Sequence, residues 1–117
     1  MSSPNMPGAP RQVFFDNLVS GAAAHLPLAP GIKVCAKHAG QRPGVALCIA
    51  REALQAGQLQ QVLERRFEQA LVFEGCFIYL DPQRALVIWH ALPATANALD
   101  RILSRMLSLA TLQALDR

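Results

Sequence analysis

The sequence predicts an α+β fold: an antiparallel sheet of four to five strands with three helices, in the order α-β-β-(β)-α-β-β-α. Apolar residues recur at steps of three and four around Phe14, Val62 and Leu103, which is the helical repeat. Between those segments lie the short apolar runs IKVCAK, VALCIA, CFIYL and ALVIWHAL, rich in β-branched or aromatic residues. The turn-forming clusters HAGQRPG and DPQR separate the runs of each pair, so neighbouring strands are joined by tight connections and run antiparallel.

Residues 1–10 hold three prolines and a glycine among small polar residues, a composition that neither nucleates a helix nor packs, and they are expected to form a disordered tail before a single domain at 11–117. The first helix is placed from Arg11 to His25, with Phe14 and Leu18 facing inward and Phe15 and Val19 beside them, and is closed by Pro27 and Pro30. In IKVCAK, Ile32, Val34 and Ala36 alternate with Lys33, Cys35 and Lys37, while VALCIA is apolar at every position and calls for cover on both faces. A further strand has room near Arg51–Leu54. The second helix is placed over Gln55–Leu71, with Leu59, Val62, Leu63, Phe67, Ala70 and Leu71 opposite Gln60, Gln61, Glu64, Arg65 and Glu68. Asp81-Pro82-Gln83-Arg84 supplies the turn of the last hairpin. The last helix starts near Thr95 or Asn97, either of which can cap it, and carries Leu99, Ile102, Leu103, Met106, Leu109 and Ala110 on one face.

With 117 residues the chain fits one domain and has no room for two lobes with a cleft between them. Apolar residues make up 52% of it and charged residues 16%, yet residues 12–32 combine Asp16, Gly21, Pro27 and Pro30, which a membrane-spanning helix would hardly hold together. A soluble protein with apolar surface to spare is expected, and no membrane insertion. The eleven Lys and Arg residues are scattered and the net charge is only +3, which argues against a nucleic-acid-binding stripe. Three cysteines without framework spacing, and an N-terminus lacking a signal-peptide pattern, point to reduced thiols and a cytoplasmic location.

Cys35-x-x-His38 has metal-ligand spacing, and Cys48, Cys76 and His90 are the residues that could complete such a site. There is no second paired motif, however, and residues three apart on a strand face opposite ways, so no metal or other cofactor is expected. Cys48 and Cys76 lie in apolar runs where desolvation raises a thiol pKa, and they read as inert buried thiols. His90 is a lone histidine at a strand end, and Glu64 and Glu68 with Arg65 and Arg66 read as an exposed, salt-bridged helix face. No Walker loop, GxGxxG, GxSxG or HExxH occurs, so no catalytic residue is assigned and an enzyme is not expected. What remains is apolar surface beyond what one small sheet can cover, which pairing with a second chain would bury.

The last hairpin, Gly75-CFIYLD-PQR-ALVIWHALP, followed by a helix with LDRILSRMLSLA, resembles the class I chaperones of type III secretion systems, small cytoplasmic bacterial proteins that bind a secreted effector or gatekeeper. The likeness extends loosely from about Phe14 to Leu112 and rests on hydrophobic pattern and turns. It implies a dimeric, ATP-independent chaperone that holds an N-terminal segment of its client extended and export-competent. It also implies a dimer interface on the second helix at Leu59, Val62, Leu63 and Phe67. Client-binding apolar patches are implied at Phe14, Phe15 and Leu18, and at Val45, Leu47 and Ile49. Members of that class are commonly acidic, whereas this chain has a pI near 9.1, which fits one subunit of a heterodimer with a second small chaperone better than a homodimer. The same element order also suits a small dimeric scaffold of roadblock or profilin type, which would have no secretion client.

Overall fold

The computed structural model describes residues 9–21 and 25–116. Three helices, α1 (Ala9–Val19), α2 (Gln58–Glu68) and α3 (Ala96–Leu109), accompany five strands, β1 (His25–Ala29), β2 (Ile32–Ala36), β3 (Gly44–Ile49), β4 (Phe77–Leu80) and β5 (Leu86–Ala91). All strand pairs are antiparallel, in the spatial order β1-β2-β3-β5-β4. The chain therefore leaves the sheet after β3, makes α2, lays β4 at the far edge and returns β5 to the centre.

The α+β class and the element order are those expected from the sequence, but the fifth strand lies elsewhere. Arg51–Ala53 is a single 3₁₀ turn, and the extra strand is β1, which begins at His25, where the first helix was expected to end, and runs through the proline-flanked segment expected only to close it. That helix stops at Val19, and Gly21 follows at φ +93° with its N–H donating to the Leu18 carbonyl. Pro27 is tolerated in β1 because the strand is at the sheet edge and pairs on one side only. Pro30 and Gly31, the latter at φ +78°, turn β1 into β2. At the start of the chain, Ala9 and Pro10 belong to α1, and residues 1–8 of the expected tail lie outside the described residues. α2 is shorter than expected, starting after Gly57 in the left-handed region, with Ala70 and Leu71 in the turns beyond it.

Period-two alternation sorts the strands into two faces. Val34, Val45, Leu47, Ile49, Leu86 and Ile88 point toward the helices and are closed from solvent. Leu99, Leu103 and Met106 of α3 lie against them at helical spacing, with Phe14, Phe15 and Leu18 of α1 in the same core. Each fully buried side chain of this size contributes about 1.5–3 kcal/mol.

α3 carries well-formed ends. Thr95 Oγ1 accepts from the Ala98 N–H at 3.1 Å. At the other end the Thr111 N–H donates to the Ser108 carbonyl and the Leu112 N–H to that of Leu107, a Schellman arrangement with Thr111 at φ +60°. Arg11 ties α1 to this unit through ion pairs to Asp100 at 3.0 Å and Asp116 at 2.8 Å, with its guanidinium over the Phe15 ring.

Two stability predictions follow from this packing. Gly44 faces the Trp89 indole so closely that an added Cβ would overlap the ring; Gly44→Ala should lower unfolding stability by roughly 1–3 kcal/mol in urea titrations. Arg11→Ala should cost about 1–3 kcal/mol by removing charged hydrogen bonds between elements distant in sequence, and the loss should shrink when Asp100 and Asp116 are already replaced by Asn.

Candidate interaction surface

α2 is amphipathic, but little of it is absorbed by the core. Val62 is fully buried and Leu59 half-buried, while the helix is otherwise held by polar bonds. The buried Gln58 side chain donates from Nε2 to the Ala110 carbonyl at 3.0 Å and accepts from the Gln55 N–H at 2.9 Å. Arg65 donates to the Ser108 carbonyl at 3.2 Å with its guanidinium over Phe73, and Arg66 donates to the Cys76 carbonyl at 2.9 Å. These arginines turn inward to backbone oxygens, which corrects the salt-bridged face expected with Glu64 and Glu68. A short polar head at Gln58 and two long ones on the next turns fix the rotation of the helix. That rotation leaves Leu63 and Phe67 outside.

The outward stripe continues past the helix. Phe67 is 85% and Leu71 88% exposed, with Leu63 and Val72 about half exposed beside them. An i, i+4 line from Leu63 to Phe67, prolonged by Leu71, is the kind of contiguous apolar strip that a second protein chain covers.

The sheet face away from the helices forms a second surface. The register places Ala46 opposite Trp89 and Trp89 opposite Phe77, with Cys48 and Tyr79 flanking Val87. Trp89 itself is shielded, because its Nε1 donates to the Lys37 carbonyl at 2.8 Å, Arg42 lies 5.9 Å over the ring and Phe77 is tilted against it at 6.0 Å. Around it Ala39, Arg42, Phe77, Tyr79 and Trp89 line an apolar cavity of about 330 Å³. β4 is the sheet edge beside this cavity, and Phe77, Tyr79 and Leu80 are exposed on it.

The thiols divide into two kinds. Cys76 is buried in the core, and desolvation pushes its pKa up. Cys35 and Cys48 meet on the open sheet face with their sulfurs 3.8 Å apart. The hydrogen bond from Cys48, helped by Lys33 and Lys37 against the opposing effect of burial, lowers the Cys35 pKa to about 6. Cys48 shifts the other way because its proton bridges to Cys35 and its own ionisation would set two negative sulfurs together. The expected inertness of Cys48 thus rested on its apolar run, whereas its actual neighbour is a thiol two positions off-register on the next strand.

The remaining candidates separate. Cys35 lines a second cavity on the open face, with Lys33, Lys37 and Cys48, while His38 lines another on the helix side with Leu18, Ala36 and Leu92. His90 packs over Gly75, and its Nδ1 is 2.7 Å from the Ala91 carbonyl. Among the described residues, no three His, Cys, Asp or Glu side chains are grouped so as to hold a metal ion. No helix among them is long and apolar enough to cross a membrane.

Of the residues that the resemblance implied for dimerisation, Leu63 and Phe67 are exposed, Leu59 is half-buried and Val62 is turned into the core. The six implied for client binding, Phe14, Phe15, Leu18, Val45, Leu47 and Ile49, all lie in the chain's own core at 3% exposure or less. Beyond Leu63 and Phe67, free apolar surface sits on Leu71, Val72, Phe77, Tyr79 and Leu80, and on Val13 and Val19 of α1. Their apolar character was visible in the sequence; the exposure of those around α2 and on β4 depended on how α2 is rotated and on β4 being an edge.

Neither curated proteins nor solved structures give a significant match to this chain. A family model described as HrpV-like matches residues 6–114, which takes in all three helices and all five strands. The chain belongs to the HrpV-like family, and its role is therefore associated with type III secretion.

Proposed function

We propose that this protein is a non-enzymatic chaperone of type III secretion, working in the bacterial cytoplasm, that pairs with a second small chain through α2 and keeps an N-terminal segment of a secreted effector or gatekeeper soluble. The exposed stripe from Leu63 through Phe67 to Leu71 carries the reading. Apolar side chains so prominent are costly in water, and burying Phe67 and Leu71 in a partner would return about 1.5–3 kcal/mol each. Leu59 lies on the same i, i+4 line one turn earlier and would form the inner margin of that contact.

The client is proposed to meet the free edge of β4 and the apolar cavity beside it. An extended segment can add to the edge through backbone hydrogen bonds while an apolar side chain enters between Phe77, Tyr79 and Trp89. The core positions Phe14, Leu18, Val45 and Leu47 then act at one remove, by holding the sheet on which the client lies. A net charge of +3 favours an acidic partner, in keeping with a heterodimer.

Light scattering coupled to size-exclusion chromatography tests the pairing. The protein, alone or co-expressed with its partner chaperone, should elute as a dimer. Phe67→Glu should weaken that dimer by about 2 kcal/mol or more, roughly thirtyfold, without loss of secondary structure. A wild-type chain that stays monomeric in both settings would remove the basis of the proposal. Phe77→Asp should leave the dimer intact and abolish protection of the client's N-terminal segment from protease.

A further inference from the structure

Cys35 and Cys48 are brought together by the register of two strands. In the β2–β3 ladder Cys35 faces Ala46 and Lys33 faces Cys48, so the two cysteines are diagonal neighbours on one face of the sheet. Their sulfurs are 3.8 Å apart, in contact through an S–H···S interaction, and both residues are partly open to solvent. They border a cavity of about 550 Å³ that His25, Lys33, Lys37 and Asp81 also line. Small solutes can reach the sulfurs, and two ammonium groups favour a thiolate there. Cys76 is instead buried among apolar side chains, and there desolvation outweighs the nearby Arg66 and Arg105 and keeps the thiol protonated.

We propose that Cys35 and Cys48 form a peroxide-reactive dithiol, converted by a hydroperoxide to an intramolecular disulfide that joins β2 to β3 across the open sheet face. The thiolate of Cys35 attacks one oxygen of the peroxide; an S–O bond forms, the O–O bond breaks, and the departing oxygen leaves as hydroxide, or as alkoxide, and takes up a proton. Cys35 is then a sulfenic acid and carries no charge. The repulsion and hydrogen bond that held the proton on Cys48 are gone, so Cys48 ionises more readily than before. Its sulfur attacks Sγ of Cys35, the S–S bond forms, the S–O bond breaks, and hydroxide leaves and is protonated to water. For hydrogen peroxide, two thiols and one peroxide give one disulfide and two waters. The sulfurs must close from 3.8 Å to about 2.05 Å. Such closure draws the two strands together beside Lys33 and Lys37 and removes a thiolate from their midst, altering the surface that a binding partner would meet. A thiol reductant reverses the step by exchange.

Peptide mapping by mass spectrometry after brief exposure to equimolar hydrogen peroxide tests the proposal on the full chain. The expected product is a monomolecular Cys35–Cys48 disulfide, lighter by two hydrogens, reversed by dithiothreitol, with Cys76 still a free thiol. In Cys48→Ser the reaction should stop at a sulfenic acid on Cys35 that dimedone captures. The alkylation rate of Cys35 in the wild-type protein should inflect near pH 6, not at about 8.5 as for an ordinary thiol. Sulfinate on either sulfur, a disulfide only between two chains, or free thiols throughout would overturn the proposal. So would a Cys48→Ser protein inert to peroxide, or an ordinary inflection. If the variant does not fold, the wild-type map and its pH profile decide alone.

Discussion

β3 and β5 run antiparallel through the middle of the sheet, in register from Gly44 opposite Ala91 to Ile49 opposite Leu86, with α3 laid across one of their faces. Leu47 and Ile88 sit opposite each other in that ladder, beneath Leu99, Leu103 and Met106. The contact is what makes the architecture one-sided. Both central strands are apolar on their two faces, yet α1, α2 and α3 are all gathered on a single side, where α1 is pinned to α3 by Arg11 and packs through Phe14, Phe15 and Leu18. The opposite face is left to side chains of its own strands, to Arg42 and to the turn after β2, which together close over Trp89.

That arrangement decides what is left for other molecules. α3 and α1 fill the core beside β3 and β5, so α2 reaches it with Val62 and the edge of Leu59 and relies on Gln58, Arg65 and Arg66 for the rest. A helix fastened by polar bonds on one side can present apolar residues on the other. Leu63, Phe67 and Leu71 do so, and the family's association with type III secretion supplies a setting in which protein partners are the expected occupants of that surface. Dimerisation and client binding would then draw on different elements, α2 for one and β4 for the other.

Much of this was legible in the residues, and the failures have physical causes. The hairpin of CFIYL and ALVIWHAL was readable because Asp81 both begins the turn and caps it, its Oδ1 accepting from the Gln83 and Ala85 N–H groups at 2.9 Å. The start of α3 was readable because Thr95 is a capping residue at the right step before Leu99. β1 was hidden because HLPLA carries a proline in so short a segment, and only an edge position makes that acceptable in a strand. The rotation of α2 was hidden too: Val62 and Leu63 are adjacent, and periodicity alone does not say which one faces the core. Apolar strand residues such as Val45 and Leu47 satisfied the pattern of a binding patch and that of a core equally well, and α3 covers them. The cysteine pair required a register that no local pattern encodes.

The central claim is that α2 and the segment after it are only partly secured by their own chain and are completed by another. Amide hydrogen exchange across a range of protein concentrations, read segment by segment, addresses it most directly. Protection over residues 58–72 should rise by tenfold or more, about 1.4 kcal/mol, as the chain assembles, while β3, β5 and α3 stay at their already high level. Protection of 58–72 that is independent of concentration and of added partner chaperone, and equal to that of α3, would contradict the account.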